Sequence, residues 1–396
     1  MQDNKFLTIL QTEIPDLEIG LENSSLGINL GSQFNPEGII YPHNTEQIVK
    51  IIKLANAEKK SIYPIGSGFR FTQGMDSFQN GFLLSLKKLN KVIEYRPDNM
   101  SIEVEAGMTL SSLQEFLAND NIFFPMDSTS STTTIGGIVA ANGYGRKKYM
   151  YKSARFYVMG MEFVSPKGEV VRVGGRTIKN VSSYDVNQLL AGSWGNFGVI
   201  TQITLRLKPL PQKSMLLSTT VSDFNKLISL VSNLMYKEEI SLASLVMKKE
   251  NNKYLLQVEL EGFAETLESQ KKKLQKDYGI VVSQQLLSEQ IPDTNTIISI
   301  PAYNLVKGLN LLEEQNIDVF SGNLTNGVFK MVLAEGIDSL QTLVEQINLL
   351  DGSLNFKGQR LTELNRGTGY YALLKKVKEA VDPNNVLVPT SKAVKE

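Results

Sequence analysis

Three glycine-containing segments in the first half of the chain have the composition of binding loops built from main-chain groups. The first, Pro64–Phe69, follows the β-prone residues 61–63 and contains two glycines separated by one residue. Such glycines permit positive φ and let main-chain N–H groups approach an anion closely. Taken alone, a plain turn explains this segment better than a phosphate-binding loop does.

The second segment, residues 132–145, combines four glycines with Thr132, Thr133 and Thr134. Small residues let the backbone lie in contact with a planar or diphosphate ligand, and threonine hydroxyls and glycine N–H groups supply donors. A tightly packed structural helix is the alternative. We favour the binding interpretation, because so many glycines carry an entropic cost that packing alone rarely requires.

The third segment joins residues 179–185 to residues 191–201. A polar cluster opens a short helix at Asp185, and three glycines, at positions 192, 195 and 198, then bring the chain back into a strand. Glycines at these positions indicate a crowded backbone turn. The spacing in all three segments differs from the G-x-G-x-x-G dinucleotide fingerprint.

The composition of the 396 residues excludes several kinds of site. There is no cysteine, which removes disulfides, iron–sulfur ligation and thiol nucleophiles from this sequence. His43 is the single histidine, so a multi-histidine metal centre cannot be built. Basic and acidic side chains number 41 each, and a net charge of zero disfavours nucleic acid as a partner.

Hydrophobic periodicity changes near Pro211. Before it, the pattern predicts helices over 44–59 and 110–119 and strands over 81–86, 92–95, 101–105, 156–165, 169–173 and 199–208. After it, strands alternate with helices predicted over 222–236, 264–278, 303–315, 337–350 and 370–381, which is typical of an α+β domain of ferredoxin-like type. The first 14 residues carry interspersed charges, and no apolar stretch reaches ~18 residues, so we expect neither a signal peptide nor a transmembrane segment.

Taken together, the three segments resemble the FAD-binding domain of the vanillyl-alcohol oxidase and p-cresol methylhydroxylase (PCMH-type) flavoprotein family. The resemblance runs from about Ile39 to Pro211 and continues more weakly at residues 375–389. It implies an α+β fold in which a two-subdomain PCMH-type FAD-binding domain precedes a ferredoxin-like cap. The expected divisions are an N-terminal segment at 1–38, the FAD-binding domain at 39–211, and a cap or substrate domain with the C-terminal helix at 212–396.

Within that family, residues 174–180, 184–185 and 192–193 are most similar to the glycolate oxidase and D-lactate dehydrogenase branch. The moderate length, with a short cap, looks most like the smaller accessory flavin subunit of the glycolate oxidase complex. In family members the first two segments wrap the FAD pyrophosphate, and backbone near Val199 meets the adenine. The resemblance therefore implies non-covalent FAD bound by Pro64, Ile65, Gly66, Ser67, Gly68, Phe69, Asp127, Thr133, Thr134, Gly136, Gly137, Asn142, Gly143, Gly145, Ser153, Gly198, Val199 and Ile200.

Five positions depart from the family pattern. Ile65 stands where many relatives carry arginine, which removes a charge near the cofactor. Phe69 occupies the place of a histidine that some members join covalently to flavin, so the cofactor is expected to be dissociable. Lys152 and Ser183 each replace a usual glycine, and Trp194 replaces a usual glutamate.

The resemblance implies an FAD-dependent oxidoreductase acting on a CH–OH donor. We expect a flavin subunit of a 2-hydroxy-acid oxidising complex, of glycolate or lactate type, that passes electrons from substrate or a partner flavin to an iron–sulfur partner. One alternative is a stand-alone FAD oxidase or dehydrogenase of a sugar alcohol, lactone or other alcohol. Another is a non-catalytic flavin-fold subunit for assembly or electron relay.

The catalytic subunits of this branch resemble one another in a histidine-rich metal site. Residues 44–396 contain no histidine and cannot form such a site, so no metal is expected and the catalytic residues stay unassigned. An arginine could bind a substrate carboxylate and a tyrosine or glutamate could act as base, with surface salt bridges as the favoured alternative. These candidates are Arg360, Glu363, Arg366, Tyr370 and Tyr371. A basic cluster could neutralise the FAD pyrophosphate or meet an acidic partner, and it comprises Arg146, Lys147, Lys148, Lys152 and Arg155.

The expected partners are a small-molecule hydroxy acid or alcohol, a protein carrying iron–sulfur clusters, and a second flavin subunit. Neither nucleic acid nor a membrane-spanning segment is expected. The expected location is cytoplasmic, with membrane contact only through partner subunits.

Overall fold

A computed structural model describes residues 5–20, 36–68, 81–127, 130–175, 186–315, 317, 319–333, 337–357, 359–361 and 367–388. The chain divides into two units. Unit 1 comprises Met1–Gly145, Ser153–Leu210 and Gly367–Glu396, and unit 2 comprises Arg146–Lys152 and Pro211–Arg366. In the described ranges, no helix has both the length and the apolar character needed to span a membrane.

The helices of unit 1 are α1 (Lys5–Glu13), α2 (Thr45–Ala57), α3 (Leu110–Leu117), α4 (Ile135–Ala140), α6 (Val186–Leu190) and α11 (Gly367–Val381). Its strands are β1 (Glu18–Gly20), β2 (Gly38–Tyr41), β3 (Ile62–Ile65), β4 (Phe82–Ser85), β5 (Val92–Arg96), β6 (Ser101–Glu105), β7 (Ile122–Phe123), β8 (Val158–Val164), β9 (Val170–Gly174), β10 (Val199–Arg206) and β11 (Lys208–Pro209).

Unit 1 contains two principal sheets. One has the strand order β1-β2-β4-β3, in which β4 pairs in parallel with both β2 and β3. The other is antiparallel with the order β5-β6-β10-β8-β9, and it includes the predicted β8–β9 hairpin. Helix α2 begins as predicted at Asn44, whose side chain accepts a hydrogen bond of 2.9 Å from the Gln47 amide. These elements share one hydrophobic core.

Both ends of the described chain pack into unit 1. In α1, Phe6 is buried and its ring lies 4.8 Å from that of Phe82, centroid to centroid. Near the other end, the amide of Ile62 donates to Val386 O at 2.7 Å and the amide of Val388 donates to Ile62 O at 2.9 Å. Residues 386–388 therefore extend the edge of the sheet beside β3.

The helices of unit 2 are α5 (Lys148–Tyr151), α7 (Phe224–Tyr236), α8 (Ala264–Tyr278), α9 (Leu305–Glu314) and α10 (Ile337–Leu349). Its strands are β12 (Lys213–Val221), β13 (Leu242–Glu250), β14 (Lys253–Gly262), β15 (Val281–Val282), β16 (Thr296–Ser299), β17 (Phe320–Asn323), β18 (Val328–Met331), β19 (Ser353–Phe356) and β20 (Gln359–Arg360).

The sheet of unit 2 contains a structural repeat. The order β12-α7-β13-β14-α8-β15 along the chain gives the sheet order β15-β12-β14-β13, which is the ferredoxin-like βαββαβ arrangement. The order β16-α9-β17-β18-α10-β19 repeats it as β17-β18-β16-β19. Antiparallel pairing of β13 with β17 joins the two repeats, and β20 continues the sheet beyond β19. The predicted α+β fold class is confirmed.

The sequence-based boundaries stay predictions, and the division into units has two features that they do not include. Unit 2 resumes at Pro211, but helix α11 packs in unit 1 rather than with the residues that precede it. Residues 146–152, which lie inside the predicted FAD-binding range, pack in unit 2. Sequence periodicity does not reveal either feature, because both depend on contacts between distant parts of the chain.

Candidate functional site

A cavity of about 130 Å³ in unit 1 brings together residues from all three glycine-containing segments. Its walls come from the loop after β3, the start of α4, and the loop before β10. Eleven of the predicted cofactor-binding residues line it: Pro64, Ile65, Gly66, Ser67, Gly68, Thr133, Thr134, Gly136, Gly137, Gly198 and Ile200. None of the described residues lining this cavity carries a charged side chain.

The loop after β3 lies directly against the N-terminus of α4. A Cβ atom on Gly66 would lie 2.0 Å from Thr134 Oγ1, so the close approach requires glycine. Gly68 has a φ of +80°, in the left-handed region that favours glycine. No residue in the described part of the chain accepts a hydrogen bond from the amides of Ser67 and Gly68. These amides can therefore serve an anionic ligand.

Helix α4 is different, because its first amides donate within the protein. Ile135 N donates to Met108 O at 2.8 Å, and Gly136 N donates to Ala106 O at 2.7 Å. Gly137 N donates to Thr134 Oγ1 at 3.2 Å. The second segment therefore shapes the cavity and presents hydroxyl groups, whereas its first helical amides are already used.

The two adjacent glycines of α4 have different steric surroundings. A Cβ on Gly136 would lie 2.8 Å from both Cβ and O of Ala106, so this glycine is required by packing. A Cβ on Gly137 would meet only Thr134 Oγ1, at 3.0 Å. Only the second position leaves room that a ligand could use.

A more polar cavity of about 260 Å³ adjoins the first and shares Gly66, Ser67 and Thr134 with it. Its other lining residues are Lys87, Asn90, Gly107, Met108, Thr109, Ser112 and Thr132. Lys87 Nζ lies 4.3 Å from the centroid of the Tyr41 ring. An uncharged cavity and a cavity with one ammonium group thus meet at the loop after β3. This division suits a ligand that joins planar rings through a charged linker.

A buried ion pair between Lys378 and Asp382 positions two further segments that line the first cavity. Lys378 Nζ donates to Asp382 Oδ2 at 2.7 Å, to Asn196 O at 2.8 Å and to Leu387 O at 2.5 Å. Asn196 and Val388 both line the cavity. Burial lowers the pKa of Lys378, although the hydrogen bond and charge of Asp382 act in the opposite direction. The pair fixes the C-terminal segment beside the loop before β10.

Five other predicted cofactor-binding residues lie next to the ends of the 146–152 segment rather than in either cavity. Asn142 Oδ1 accepts from Arg155 N at 3.2 Å, and Gly143 O accepts from Ala154 N at 2.8 Å. A Cβ on Gly145 would lie 1.3 Å from an Asp127 carboxylate oxygen, so these two residues are in direct contact. The group comprises Asp127, Asn142, Gly143, Gly145 and Ser153. Val199 is buried in β10, and Phe69 lies outside the described residues.

Two of the five residues in the predicted basic cluster, Arg146 and Lys147, pair with carboxylates inside unit 2, whereas Lys152 Nζ donates to Tyr149 O and Arg155 Nη2, in unit 1, donates to Ala191 O. Arg146 Nε lies 3.2 Å from Glu259 Oε2, and its Nη1 lies 3.0 Å from Glu289 Oε1. Lys147 Nζ lies 3.0 Å from Glu259 Oε1 and also donates to Glu261. We call Arg146, Lys147, Glu259, Glu261 and Glu289 the unit 2 charge cluster. Because its cations are paired with carboxylates, the expected neutralisation of a cofactor pyrophosphate by Arg146 and Lys147 receives no support.

Ionisation within the charge cluster reflects this pairing. Burial acts to raise the pKa of Glu259, but Lys147, a hydrogen bond from Ser244 and Arg146 outweigh it, and the pKa is lowered. Burial likewise opposes the charged form of Lys147, yet Glu261 and Glu259 raise its pKa. Both groups are thus charged at neutral pH.

The roles of the catalytic candidates stay predictions, because their side chains lie outside the described residues. Arg360 ends β20 in unit 2, whereas Tyr370 and Tyr371 belong to α11 in unit 1, and the side chains of all three lie outside the described set. Glu363 and Arg366 fall outside the described residues altogether. Within the described ranges, no group of three or more histidine, cysteine or acidic side chains is arranged to hold a metal ion.

Sequence reasoning missed several residues that line the two cavities. Lys87 and Asn90 line the second cavity, and eight residues complete the first: Leu86, Ala106, Ala140, Ala141, Trp194, Gly195, Asn196 and Val388. Most of these residues are small or apolar types, which carry no chemical signal in a sequence, and Lys87 and Asn90 stand outside the glycine-containing segments. The weak family resemblance at residues 375–389 was the one available indication that the C-terminal segment belongs with the first domain.

Comparison with protein families matches residues 36–174 to the model of an FAD binding domain. A D-lactate dehydrogenase from Anaerostipes hadrus is 32% identical over 177 residues, covering 45% of this chain and 37% of the relative. The glycolate oxidase subunit GlcD of Bacillus subtilis is 29% identical over 203 residues, covering 51% and 43% respectively. A D-lactate dehydrogenase from Archaeoglobus fulgidus is 30% identical over 249 residues, covering 59% and 56%. The chain thus spans about half the length, or less, of these curated relatives.

Among solved structures, an alkyldihydroxyacetonephosphate synthase superposes with a TM-score of 0.71 at 16% sequence identity. The superposition covers 99% of this chain and 86% of that one, which establishes a common fold. The lining of the two cavities has the chemistry that a dinucleotide needs, since it combines uncharged walls, two loop amides with no acceptor among the described residues, and an adjoining lysine. Residues 36–174 thus match an FAD-binding domain of PCMH type, and FAD is the cofactor of that domain.

Proposed function

We propose that this chain is an FAD-dependent oxidoreductase that oxidises the CH–OH group of a 2-hydroxy acid. The observation that carries the proposal is the convergence of the three glycine-containing segments, the first two of which lie inside the matched FAD-binding range, on one cavity. Support for the substrate class comes from relatives named as D-lactate dehydrogenase, glycolate oxidase subunit and D-2-hydroxyglutarate dehydrogenase.

In this proposal the residues of unit 1 bind and orient the cofactor. The Ser67 and Gly68 amides and the Thr134 hydroxyl face the diphosphate, and Lys87 adds positive charge from the adjoining cavity. Bound FAD supplies the acceptor for the hydride that leaves the substrate carbon, while the hydroxyl proton goes to a base. Phe69 cannot form the histidine linkage, so the cofactor is held non-covalently.

We further propose that the chain works as a flavin subunit of a complex, passing electrons to a partner that carries iron–sulfur clusters. The absence of cysteine from these 396 residues supports this division of labour, because any such cluster must be ligated elsewhere.

The test is flavin analysis of the purified chain, followed by anaerobic titration. We expect yellow protein whose FAD is released by acid precipitation, and bleaching by D-lactate, glycolate or D-2-hydroxyglutarate. Titration is run with the chain alone and with a co-purified partner. Bleaching only by a polyol or lactone selects a stand-alone alcohol oxidase or dehydrogenase. A flavoprotein that no donor reduces in either preparation selects a non-catalytic relay or assembly subunit, and a colourless protein that refuses added FAD contradicts the whole proposal.

A further inference from the structure

Trp194 occupies an exposed place in the wall of the first cavity. It is the single tryptophan of the chain, and 38% of its surface is exposed, whereas a tryptophan kept only for packing is normally more deeply buried. It lies in the cavity lining beside Gly195 and Asn196. Its exposure therefore calls for a functional explanation.

The backbone holds Trp194 in an unusual conformation. Its φ is +55°, and it stands between Gly192 at +94° and Gly195 at +83°, so three of four consecutive residues lie at positive φ. The Trp194 amide donates to Ala140 O at 2.9 Å, which ties the loop to the end of α4. A positive φ is costly for a bulky residue, and such strain concentrates at ligand sites.

The other walls of the first cavity suit a planar, weakly polar ring. Leu86, Ala106, Ile200 and Val388 line it, and the described lining includes no charged side chain. An aromatic side chain beside such a space gains from stacking on a flat heteroaromatic ring. The ammonium group of Lys87 lies in the adjoining cavity instead, where a phosphate would be favoured.

We propose that the indole of Trp194 stacks on a planar ring of the bound dinucleotide and forms the aromatic wall of the cofactor site. The inference rests on the proposed FAD binding and adds a specific binding residue to it. It predicts that an aromatic residue at position 194 is needed for tight cofactor binding, whereas an aliphatic residue of similar size is not sufficient.

The first experiment measures the FAD dissociation constant, and the temperature at which the holoenzyme releases fluorescent flavin, in Trp194→Phe and Trp194→Leu. We expect Trp194→Leu to weaken binding about tenfold or more and Trp194→Phe to restore most of the affinity. Phe263→Leu is the matched control, since Phe263 is 69% exposed in unit 2 and should leave the constant unchanged.

The second experiment uses the unaltered protein and identifies the ring. A change in tryptophan emission on adding ADP, which does not absorb in the emission range, indicates contact with adenine. A long-wavelength charge-transfer absorption in the holoenzyme, lost in Trp194→Leu, indicates contact with the isoalloxazine. If FAD binds but neither signal appears and both variants bind like the parent, the Trp194 inference is overturned while the proposed function stands. A protein that binds no FAD overturns the proposed function and the inference with it.

Discussion

The first cavity of unit 1 and the charge cluster of unit 2 differ in how far their polar groups are already paired within the protein. The described lining of the cavity is uncharged and includes two loop amides without a described partner. The charge cluster contains two cations and three carboxylates that pair with one another. Desolvated charge is costly unless it is paired, so the cluster has little capacity left for a ligand.

The first cavity keeps space and hydrogen-bond donors that a ligand could use, whereas the ion pairs of the charge cluster stabilise the fold of unit 2. Glycines in unit 1 bring the backbone close to other backbone, as at Gly66 and Gly136, and this leaves space and a few donors. In unit 2, the carboxylates of β14 take up the positive charge of Arg146 and Lys147. A basic sequence run is therefore a poor guide to anion binding, because acidic residues more than 100 positions away neutralise it.

The largest expected effect comes from breaking the charge cluster at Glu259. This side chain pairs with Arg146 and Lys147 and accepts from Ser244 Oγ at 2.8 Å. Glu259→Ala should lower the free energy of unfolding by about 3 kcal/mol, because two partly buried cations each lose one of their two carboxylate partners. Urea denaturation followed by circular dichroism measures it.

A matched control for Glu259 is Glu268→Ala. Glu268 pairs with Lys213 and Lys271 at the surface, and its pKa is lowered to about 2 through hydrogen bonds from both lysines. Exposed pairs are screened by water, so this substitution should change stability little. Equal losses of stability in the two variants would contradict the difference between buried and exposed ion pairs.

The charge cluster also predicts a pH dependence of stability. The folded pKa of Glu259 lies below its unfolded value, so its contribution is present above the unfolded pKa and is lost as the pH falls through the folded one. The stability advantage of the parent over Glu259→Gln should therefore shrink on acidification from pH 6 toward about pH 3. Urea midpoints measured across that range test this, and a constant difference would contradict it.

A smaller effect should separate the adjacent glycines of α4. Gly136→Ala forces a methyl group against Ala106 and should cost about 1–3 kcal/mol of stability, with loss of bound flavin as a consequence. Gly137→Ala places its methyl group toward Thr134 and should leave thermal stability unimpaired while weakening FAD binding. Apoprotein melting and flavin titration distinguish these outcomes. Equal melting temperatures and equal FAD affinities in the two variants would contradict the steric difference between positions 136 and 137.

The smallest effect is expected at Lys152, the last residue of the segment 146–152, which packs in unit 2. Its φ of +63° and ψ of −153° lie in a region populated almost entirely by glycine. Lys152→Gly should raise the free energy of unfolding by about 1 kcal/mol by relieving this strain. Lys152→Ala, which removes the ammonium group but keeps the strain, should not. Thermal unfolding of both variants provides the measurement, and a less stable glycine variant would refute the strain argument.

Local sequence information predicted many individual elements and several of the residues that line the first cavity. Helix α2, the β8–β9 hairpin and helix α8 follow from apolar periodicity, capping residues and turn residues, which act over short distances. The glycines and threonines of the first two segments were recognised because their composition is unusual. The repeat in unit 2 was not found, because a shared strand order leaves no required similarity in residue type.

The sequence by itself determined the α+β elements, the lack of a cysteine or multi-histidine centre, and the residues capable of forming a dinucleotide loop. The tertiary structure decided which of those residues meet in one cavity, which helical amides already donate hydrogen bonds within the protein, and which carboxylates pair with Arg146 and Lys147. It also brought Val388 beside Ile62. The physical reason is that hydrogen bonds, ion pairs and steric contacts depend on distance in space, and residues more than 100 positions apart supply the decisive partners.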